Sequence, residues 1–226
     1  MVAKNSKMKI KVNENGPYTV YGGIPIMDMI LVPDAEGLST SWHKGKEYPL
    51  QEEYDLCRCG QSKNKPFCDL THAEIFFDGT ETASKEPFES QAEPTTIGPE
   101  MDLTDVVPLC ANARFCDRAG GVWDNVRASN DPEAKKIALQ EVWDCPAGRL
   151  VLRGKAGNLI EPVFEPSIGA VIDPVISDIG PLWVRGGIPI EAADGTLYEV
   201  RNRVTLCRCG KSTNKPFCDG RHTDGK

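Results

Sequence analysis

Two short stretches of this sequence combine three cysteines and one histidine at the same spacing. One residue separates the first two cysteines, eight separate the second from the third, and three precede the histidine. Thiolates and imidazoles are the groups that soluble proteins use to bind zinc and iron–sulfur clusters. The repeated spacing therefore predicts two metal sites, whose ligands are Cys57, Cys59, Cys68 and His72 in one stretch and Cys207, Cys209, Cys218 and His222 in the other.

The numbers of cysteines and histidines also point to metal binding. The chain has nine cysteines, and an odd number fits a disulfide framework poorly. There are only three histidines, and two of them complete the predicted sites. The remaining histidine, His43, lies in a polar segment and is interpreted as a solvated side chain.

The spacing of the first two cysteines favours a [2Fe-2S] cluster over zinc. Structural zinc sites usually use cysteine pairs separated by two to four residues, whereas one residue separates each pair here. A pair this close can place both thiolates on one iron, which leaves the third cysteine and the histidine for the second iron. Zinc stays open as an alternative, because it accepts the same ligands.

Both stretches resemble the CDGSH (mitoNEET-like) iron–sulfur family. The family pattern is Cys-x-Cys-x2-Ser/Thr-x3-Pro-x-Cys-Asp-Gly-Ser/Ala/Thr-His, and it departs from this sequence at Leu70, where the family has Gly, and at Arg221, where it has a small residue. The resemblance implies two [2Fe-2S] clusters, each held by three cysteines and one histidine, in a strand-swapped β-cap fold. Besides the ligands, the matching positions are Ser62, Pro66 and Asp69, and Ser212, Pro216 and Asp219.

A second repeated pattern precedes each predicted site. The residues Gly-Pro-x-x-Val-x-Gly-Gly-Ile-Pro-Ile occur at 16–26 and again at 180–190. Such a repeat indicates internal duplication, and neither copy is large enough to bury its own core. We therefore expect the two copies to share strands around a pseudo-two-fold axis, so that a monomer contains an internal pseudo-dimer.

The predicted fold is α+β and mostly β. The first CDGSH module is expected at 1–79 and the second at 166–226, with a linker and a small ferredoxin-like α+β insert at 80–165. Outside the insert, strands are predicted at 8–12, 18–21, 48–56 and 198–206, and residues 37–45 are predicted to form a polar surface excursion. Within the insert, residues 109–116 are predicted to form a short helix, residues 149–153 a strand, and Asp131 and Pro132 to begin a helix that ends near Trp143.

The insert contains the other three cysteines, Cys110, Cys116 and Cys145. Their arrangement, with Pro146 after the last one, resembles the divergent one-cluster ferredoxin-like domains of bacteria. Four ligands are usual for a cluster, but the position two residues after Cys110 is Asn112, and no fourth ligand is visible. Whether these three cysteines bind a further cluster stays open at this point.

Composition narrows the classes of function. A net charge of −7 predicts no binding to nucleic acid, and no apolar run is long enough to span a membrane. The N-terminus lacks the features of a secretory signal, so we expect a cytoplasmic protein. No nucleophile–base pair or phosphate-binding loop is recognisable, so we do not expect an enzyme. The expected function is electron transfer or iron–sulfur cluster transfer to an unknown redox or acceptor protein; the alternatives are a zinc-stabilised binding module and a redox or pH sensor that a protein partner reads.

The two predicted sites differ in their surroundings. Basic residues within the loops, among them Arg58 and Arg208, are expected to offset the negative charge of a cluster. The second loop has one further basic residue, Arg221, which predicts the higher reduction potential there. Leu70 is expected to pack over the first site, whereas Gly220 is expected to leave the second site uncovered. The second cluster is therefore predicted to be released first.

Overall fold

The computed structural model describes residues 8–176 and 179–224, which form a mostly β structure with three sheets. Three α-helices are described, α1 (Thr71–Glu74), α2 (Val122–Arg127) and α3 (Pro132–Asp144). The strands are β1 (Lys9–Val12), β2 (Tyr18–Tyr21), β3 (Ile26–Pro33), β4 (Ser39–Glu47), β5 (Glu53–Leu56), β6 (Thr96–Ile97), β7 (Met101–Asp105), β8 (Leu150–Gly154), β9 (Leu159–Ile160), β10 (Ser167–Ile172), β11 (Leu182–Arg185), β12 (Ile190–Glu191) and β13 (Arg203–Leu206).

The two repeats exchange one strand each. The first sheet has the order β12–β1–β2–β5, and the second has the order β13–β11–β10–β3–β4. Strand β12 of the second repeat pairs in parallel with β1, while β3 of the first repeat pairs in parallel with β10. The exchange confirms the predicted sharing of strands around a pseudo-two-fold axis.

One apolar core joins the two exchanged sheets. It includes Ile10, Val20 and Leu56 from the first sheet, and Ile168 and Leu206 from the second. All five side chains are fully buried. Burial of an Ile or Leu side chain contributes about 2 kcal/mol, so the shared core stabilises the two repeats as a single unit.

The predicted strands that precede the metal loops are shorter than expected. Only β5 and β13, four residues each, are strands within the ranges 48–56 and 198–206. Each pairs with a strand that is itself four residues long, β2 or β11. A strand extends only as far as its partner offers hydrogen bonds, so the neighbouring strand sets the length.

The segment 37–45 lies at the surface as predicted, but it is a strand rather than an irregular excursion. Most of this segment belongs to β4, which forms a hairpin with β3 and is the outer strand of the second sheet. Its half-buried Trp42 stacks on Trp183 with a ring-centroid distance of 4.7 Å and donates a hydrogen bond to the Asp144 carbonyl at 3.0 Å. These contacts are distant in sequence, so a local reading of polar residues could not reveal them.

The insert is a small α+β unit. Strands β6 to β9 form an antiparallel sheet in sequence order, and α2 and α3 pack on it. The predicted start of α3 is confirmed, since the Asp131 carboxylate accepts hydrogen bonds from the backbone N–H groups of Glu133 and Ala134. The predicted strand at 149–153 is confirmed by β8, whereas 109–116 is not a helix. That segment has a short 3-10 turn at each end, with Asn112 and Arg114 in the left-handed region between them.

A buried arginine connects the insert to the second repeat. Arg203 of β13 is 1% exposed, and its guanidinium group donates hydrogen bonds to the carbonyls of Cys145 at 2.9 Å and Val142 at 3.0 Å. These carbonyls lie at the C-terminal end of α3, where free acceptors and the helix dipole favour a cation. Glu161 forms an ion pair with the same guanidinium group. The insert is therefore anchored by hydrogen bonds to a strand of the second repeat.

None of the helices described within residues 8–176 and 179–224 has the length and apolar character required to cross a membrane.

The strand exchange predicts that the first repeat cannot fold alone. A fragment of residues 1–79 lacks β12 beside β1 and β10 beside β3, so two strand edges and part of the core would face water. We expect this fragment to be unfolded or self-associated by circular dichroism and sedimentation velocity. The full chain measured in parallel is the control. A stably folded monomeric fragment would contradict the prediction.

The insert also predicts a pH dependence of stability. Glu141 of α3 is fully buried, and burial raises the pKa of its carboxyl group from 4.5 to about 7. The folded state therefore binds more protons than the unfolded state between these values, so stability falls as pH rises from 4.5 through 7. We expect Glu141→Gln to remove this decline and to exceed the wild type by about 3 kcal/mol at pH 8 in urea unfolding.

The control is Glu133→Gln, because that side chain is exposed on the same helix. The change in its unfolding midpoint between pH 5 and pH 8 should match that of the wild type. If Glu141→Gln and wild type lost stability in parallel between these pH values, the assigned pKa of Glu141 would be incorrect.

Candidate metal centres

Each predicted metal loop presents its four candidate ligands as two close pairs. In the first loop, the Sγ atoms of Cys57 and Cys59 are 3.9 Å apart, and Cys68 Sγ is 3.3 Å from Nδ1 of His72. The equivalent separations in the second loop are 3.8 Å and 3.5 Å. Two sulfurs bound tetrahedrally to one metal at about 2.3 Å lie about 3.8 Å apart. The cysteine pairs therefore have the separation of two ligands on one metal atom.

The pairs do not merge into a larger group of donors. Among the described residues, 8–176 and 179–224, no three Cys, His, Asp or Glu side chains gather as ligands of a single metal ion. The pairing within each loop is the one that the sequence suggested, with the first two cysteines together and the third cysteine beside the histidine. Such pairs fit a centre with two metal atoms.

The other motif residues hold the loop in shape. In the first loop, Ser62 Oγ donates to the Phe67 carbonyl at 2.7 Å, and the Asp69 carboxylate accepts from the backbone N–H of Lys63 at 2.8 Å. The hydrogen bond from the Lys63 N–H is the main reason why the pKa of Asp69 is lowered to about 2. The same two contacts recur in the second loop, where Ser212 donates to Phe217 and Asp219 accepts from Thr213.

Backbone N–H groups point at the thiols. The N–H groups of Gln61 and Leu70 lie 3.5 Å and 3.4 Å from the Sγ atoms of Cys59 and Cys68. In the second loop, the N–H of Gly220 is 3.4 Å from Cys218 Sγ. Such hydrogen bonds stabilise thiolates and tune the reduction potential of any cluster that they hold.

The two loops touch each other at their Cys-x-Cys-Gly turns. Gly60 and Gly210 both have a φ of +79°. A β-carbon on Gly60 would lie 2.5 Å from the Cys209 carbonyl oxygen, and one on Gly210 would lie 2.7 Å from the Cys59 carbonyl oxygen. Only glycine fits both the left-handed backbone and this close approach. The two candidate centres are thus neighbours at the pseudo-two-fold axis.

Two arginines of the loops are buried. Arg58 and Arg208 are 1% and 4% exposed, and their guanidinium groups donate to backbone carbonyls, Arg58 to Asn13 at 3.0 Å and Arg208 to Gly180 at 2.9 Å. Carbonyl acceptors leave the positive charge of each guanidinium group uncancelled. The residue between the first two cysteines in each sequence motif is therefore an arginine with a buried guanidinium group.

The predicted difference in cover between the two sites is wrong in direction. Leu70 has a φ of +70° and is 67% exposed, so it does not cover the first site. The Cys–His pair of the second site is the buried one, because Cys218 and His222 are 2% and 7% exposed, whereas Cys68 and His72 are half-buried. Burial lowers the pKa of His222 to about 4. Arg221, the extra basic residue of the second loop, lies with its Nε 3.4 Å from the Asp219 carboxylate. The predicted order of the reduction potentials stays a prediction.

The insert provides the cover of the second site. A β-carbon on Gly220 would lie 3.2 Å from the Cys110 carbonyl oxygen, and the Asn112 side chain donates to Thr223 Oγ1 at 3.1 Å. The structure also brings the three cysteines of the insert, Cys110, Cys116 and Cys145, to the wall of one cavity. His43 is exposed, as expected for a solvated side chain.

Sequence reasoning missed one residue that links the repeats. The hydroxyl group of Tyr18 lies 2.9 Å from the Cys207 carbonyl and 3.0 Å from the Pro216 carbonyl, so β2 of the first repeat supports the loop of the second. No signal in the sequence marks this contact, because Leu182 takes the equivalent position in the other repeat. The close approach of Gly60 to Cys209 and of Gly210 to Cys59 had a visible signal, since glycine follows the Cys-x-Cys pair in both loops.

Comparison with known proteins agrees with this geometry. The family model described as an iron-binding zinc finger of the CDGSH type matches residues 15–73 and 179–223. A second model, described as a divergent 4Fe-4S mono-cluster, matches residues 97–155 between them. No curated protein and no solved structure matches the chain. The chain is therefore a tandem CDGSH protein with a divergent 4Fe-4S segment between its two repeats.

Proposed function

We propose that each CDGSH loop holds a [2Fe-2S] cluster and that the protein transfers electrons. The observation that carries the proposal is the pairing of donors at the separation expected for two ligands on one metal atom. A structural zinc ion requires four donors around one point, which is a different arrangement. The ligands in this proposal are the two predicted sets, Cys57, Cys59, Cys68 and His72, and Cys207, Cys209, Cys218 and His222.

The residues around the loops suit one-electron transfer. A bound [2Fe-2S] cluster would supply the site that accepts and donates one electron. The buried guanidinium groups of Arg58 and Arg208 stabilise added negative charge, and the N–H groups near the thiols do the same. Tyr18 and the loop hydrogen bonds keep the donors in place when the charge changes. Little reorganisation is then needed at either centre.

The arrangement of the two centres supports a direction for the transfer. Their Cys-x-Cys-Gly turns are in contact, so an electron can pass from one centre to the other within the chain. The second centre is buried, whereas His72 of the first centre is half-buried. Leu70 and Phe76, beside His72, are 67% and 92% exposed. We propose that a redox partner docks on this apolar surface at the first centre.

Several further expectations belong to the same proposal. The protein acts as a monomeric electron carrier rather than as an enzyme. All nine cysteines are free, which supports a reducing compartment such as the cytoplasm. Transfer of a whole cluster to an acceptor protein is a second candidate function. The specific observation in its favour is the exposure around His72, since a cluster held by a half-exposed histidine can be released.

The identity of the cofactor can be tested by composition and by ligand exchange. We expect the isolated protein to be coloured and to contain iron and acid-labile sulfide rather than zinc. We expect His72→Cys and His222→Cys each to lower the potential of one cluster, because a thiolate adds negative charge. His43→Cys is the control, since that side chain is exposed on β4. A colourless zinc protein, or unchanged potentials in both ligand variants, would contradict the proposed centres.

The role can be tested with variants that each leave one CDGSH centre. We expect the first centre, left in Cys218→Ala, to reduce cytochrome c at least about tenfold faster than the second centre, left in Cys68→Ala, because exposure brings the acceptor closer. The first centre should also lose its visible absorption sooner. Electron transfer requires that cytochrome c is reduced before the visible absorption of the cluster is lost. If that absorption were instead lost at the rate at which an added apo-ferredoxin gains a cluster, cluster transfer would be the function.

A further inference from the structure

The insert contains a cavity whose wall combines three thiols with a buried cation. The cavity has a volume of about 90 Å³, and Cys110, Cys116 and Cys145 lie on its wall together with Trp123 and Arg149. Cys145 is 8% exposed and the other two thiols are half-buried. Neither CDGSH loop contributes to this wall. The six cysteines of those loops are accounted for, so the third triplet is an independent set of donors.

Each thiol of this triplet stands on an anchored segment. Arg114, between the first two cysteines, forms a double ion pair with Asp173 at 2.7 Å and 3.1 Å. Cys145 ends α3, and its carbonyl accepts the hydrogen bond from Arg203. The left-handed backbone of Asn112 and Arg114 reverses the chain so that both flanking cysteines reach one cavity. Arg114 also donates from Nε to the Gly37 carbonyl of the first repeat at 2.9 Å. The donors are therefore positioned by contacts with both repeats before anything is bound.

The wall contains a buried N–H donor that an anionic occupant could accept from. Arg149 is 8% exposed, and one of its terminal nitrogens donates to Asp105 at 2.8 Å. Its Nε atom is buried and has no hydrogen-bond partner within the described part of the chain. A buried donor without a partner costs about 1–3 kcal/mol, so an acceptor beside it would be stabilising. A cluster with thiolate ligands is such an acceptor.

The number of thiols does not match an ordinary four-iron cluster. Each iron of a cubane binds three sulfides and needs one outer ligand, and four cysteines usually supply these. This chain supplies three. Asn112 lines the same cavity, but its amide group donates to Thr223 Oγ1. One iron would therefore lack a thiolate.

The match to a divergent 4Fe-4S mono-cluster already implies a cluster in the insert. We propose that Cys110, Cys116 and Cys145 hold it by three thiolates only, with one exchangeable iron, and that it passes electrons to the second CDGSH centre. The electron path to the second CDGSH centre rests on the proposed function, whereas the ligation of the cluster does not. The electron path is supported by the contact of the Cys110 carbonyl with Gly220, two residues before His222. The insert thus adjoins the centre that is otherwise buried.

The first experiment removes both CDGSH centres. In Cys57→Ser/Cys207→Ser we expect about four irons per chain to remain, with the electron paramagnetic resonance of a reduced four-iron cluster. Adding Cys116→Ser should remove this iron and this signal. In the matched control, Cys116→Ser alone, about four irons should remain, in two [2Fe-2S] clusters. Circular dichroism spectra that match the wild type show that the variants are folded.

The second experiment tests the exchangeable iron in Cys57→Ser/Cys207→Ser. Ferricyanide should take one electron while one Fe²⁺ leaves, which converts the [4Fe-4S]²⁺ form to [3Fe-4S]⁺ with its own resonance signal. Fe²⁺ and dithionite should restore the original signal. We expect Asn112→Cys to slow the loss of iron at least about tenfold, because a fourth thiolate closes the site. Asn112→Ala is the matched control. It should lose iron at least as fast as the Cys57→Ser/Cys207→Ser protein that retains Asn112.

The outcomes separate this proposal from the function proposed for the CDGSH loops. Iron-free Cys57→Ser/Cys207→Ser protein that is folded would overturn the third cluster and leave the two CDGSH centres untouched. Retained iron that resists ferricyanide would overturn the three-thiolate site. The electron path is tested in Cys68→Ala, which lacks the first CDGSH centre. Reduction of the second centre by a flash-reduced flavin should slow at least about fivefold when Cys116→Ser is added to Cys68→Ala; an unchanged rate would overturn that path.

Discussion

The mutual exchange of β3 and β12 is the constraint on which the rest of the molecule depends. Each of the two main sheets is completed only by a strand from the other repeat. Because β5 and β13 lie in different sheets and lead directly into the metal loops, the exchange also decides where those loops meet. The close approach of Gly60 to the Cys209 carbonyl is the local result. The candidate centres are thus placed by sheet pairing rather than by contacts of their own ligands.

The insert turns a nearly symmetric pair into an asymmetric one. It is attached to the second repeat through Arg203 and Arg114 and packs against Gly220, whereas the equivalent Leu70 faces solvent. The ligand sets are the same, but Cys218 and His222 are buried, whereas Cys68 and His72 are half-buried. Exclusion of water lowers the local dielectric constant, which strengthens electrostatic interactions near the buried ligands. Two centres with equal ligands can therefore differ in accessibility and in potential.

Much of the fold and of the candidate site could be predicted, because short-range rules determine those parts. The spacing of the ligands in each loop, the capping of α3 by Asp131 and the repeated Gly-Pro pattern are all local. The missed features depend on partners far away in the sequence. Trp42 donates a hydrogen bond to the Asp144 carbonyl, Tyr18 donates one to the Cys207 carbonyl, and Gly220 lies close to the Cys110 carbonyl. The segment 109–116 is not the predicted helix: Arg114 has a left-handed backbone and forms an ion pair with Asp173, which is distant in the sequence.

Joining both repeats in one chain has a consequence for how the structure can be lost and changed. In a homodimer, strand exchange depends on protein concentration, and dilution separates the partners. Here the partner of each strand is covalently attached, so its effective concentration is fixed by the chain and dilution has no effect. Two separate gene segments also encode the two halves, so a substitution alters one centre without altering the other. A fused pair is therefore free to specialise, and Leu70 and Gly220 are one position at which these halves already differ.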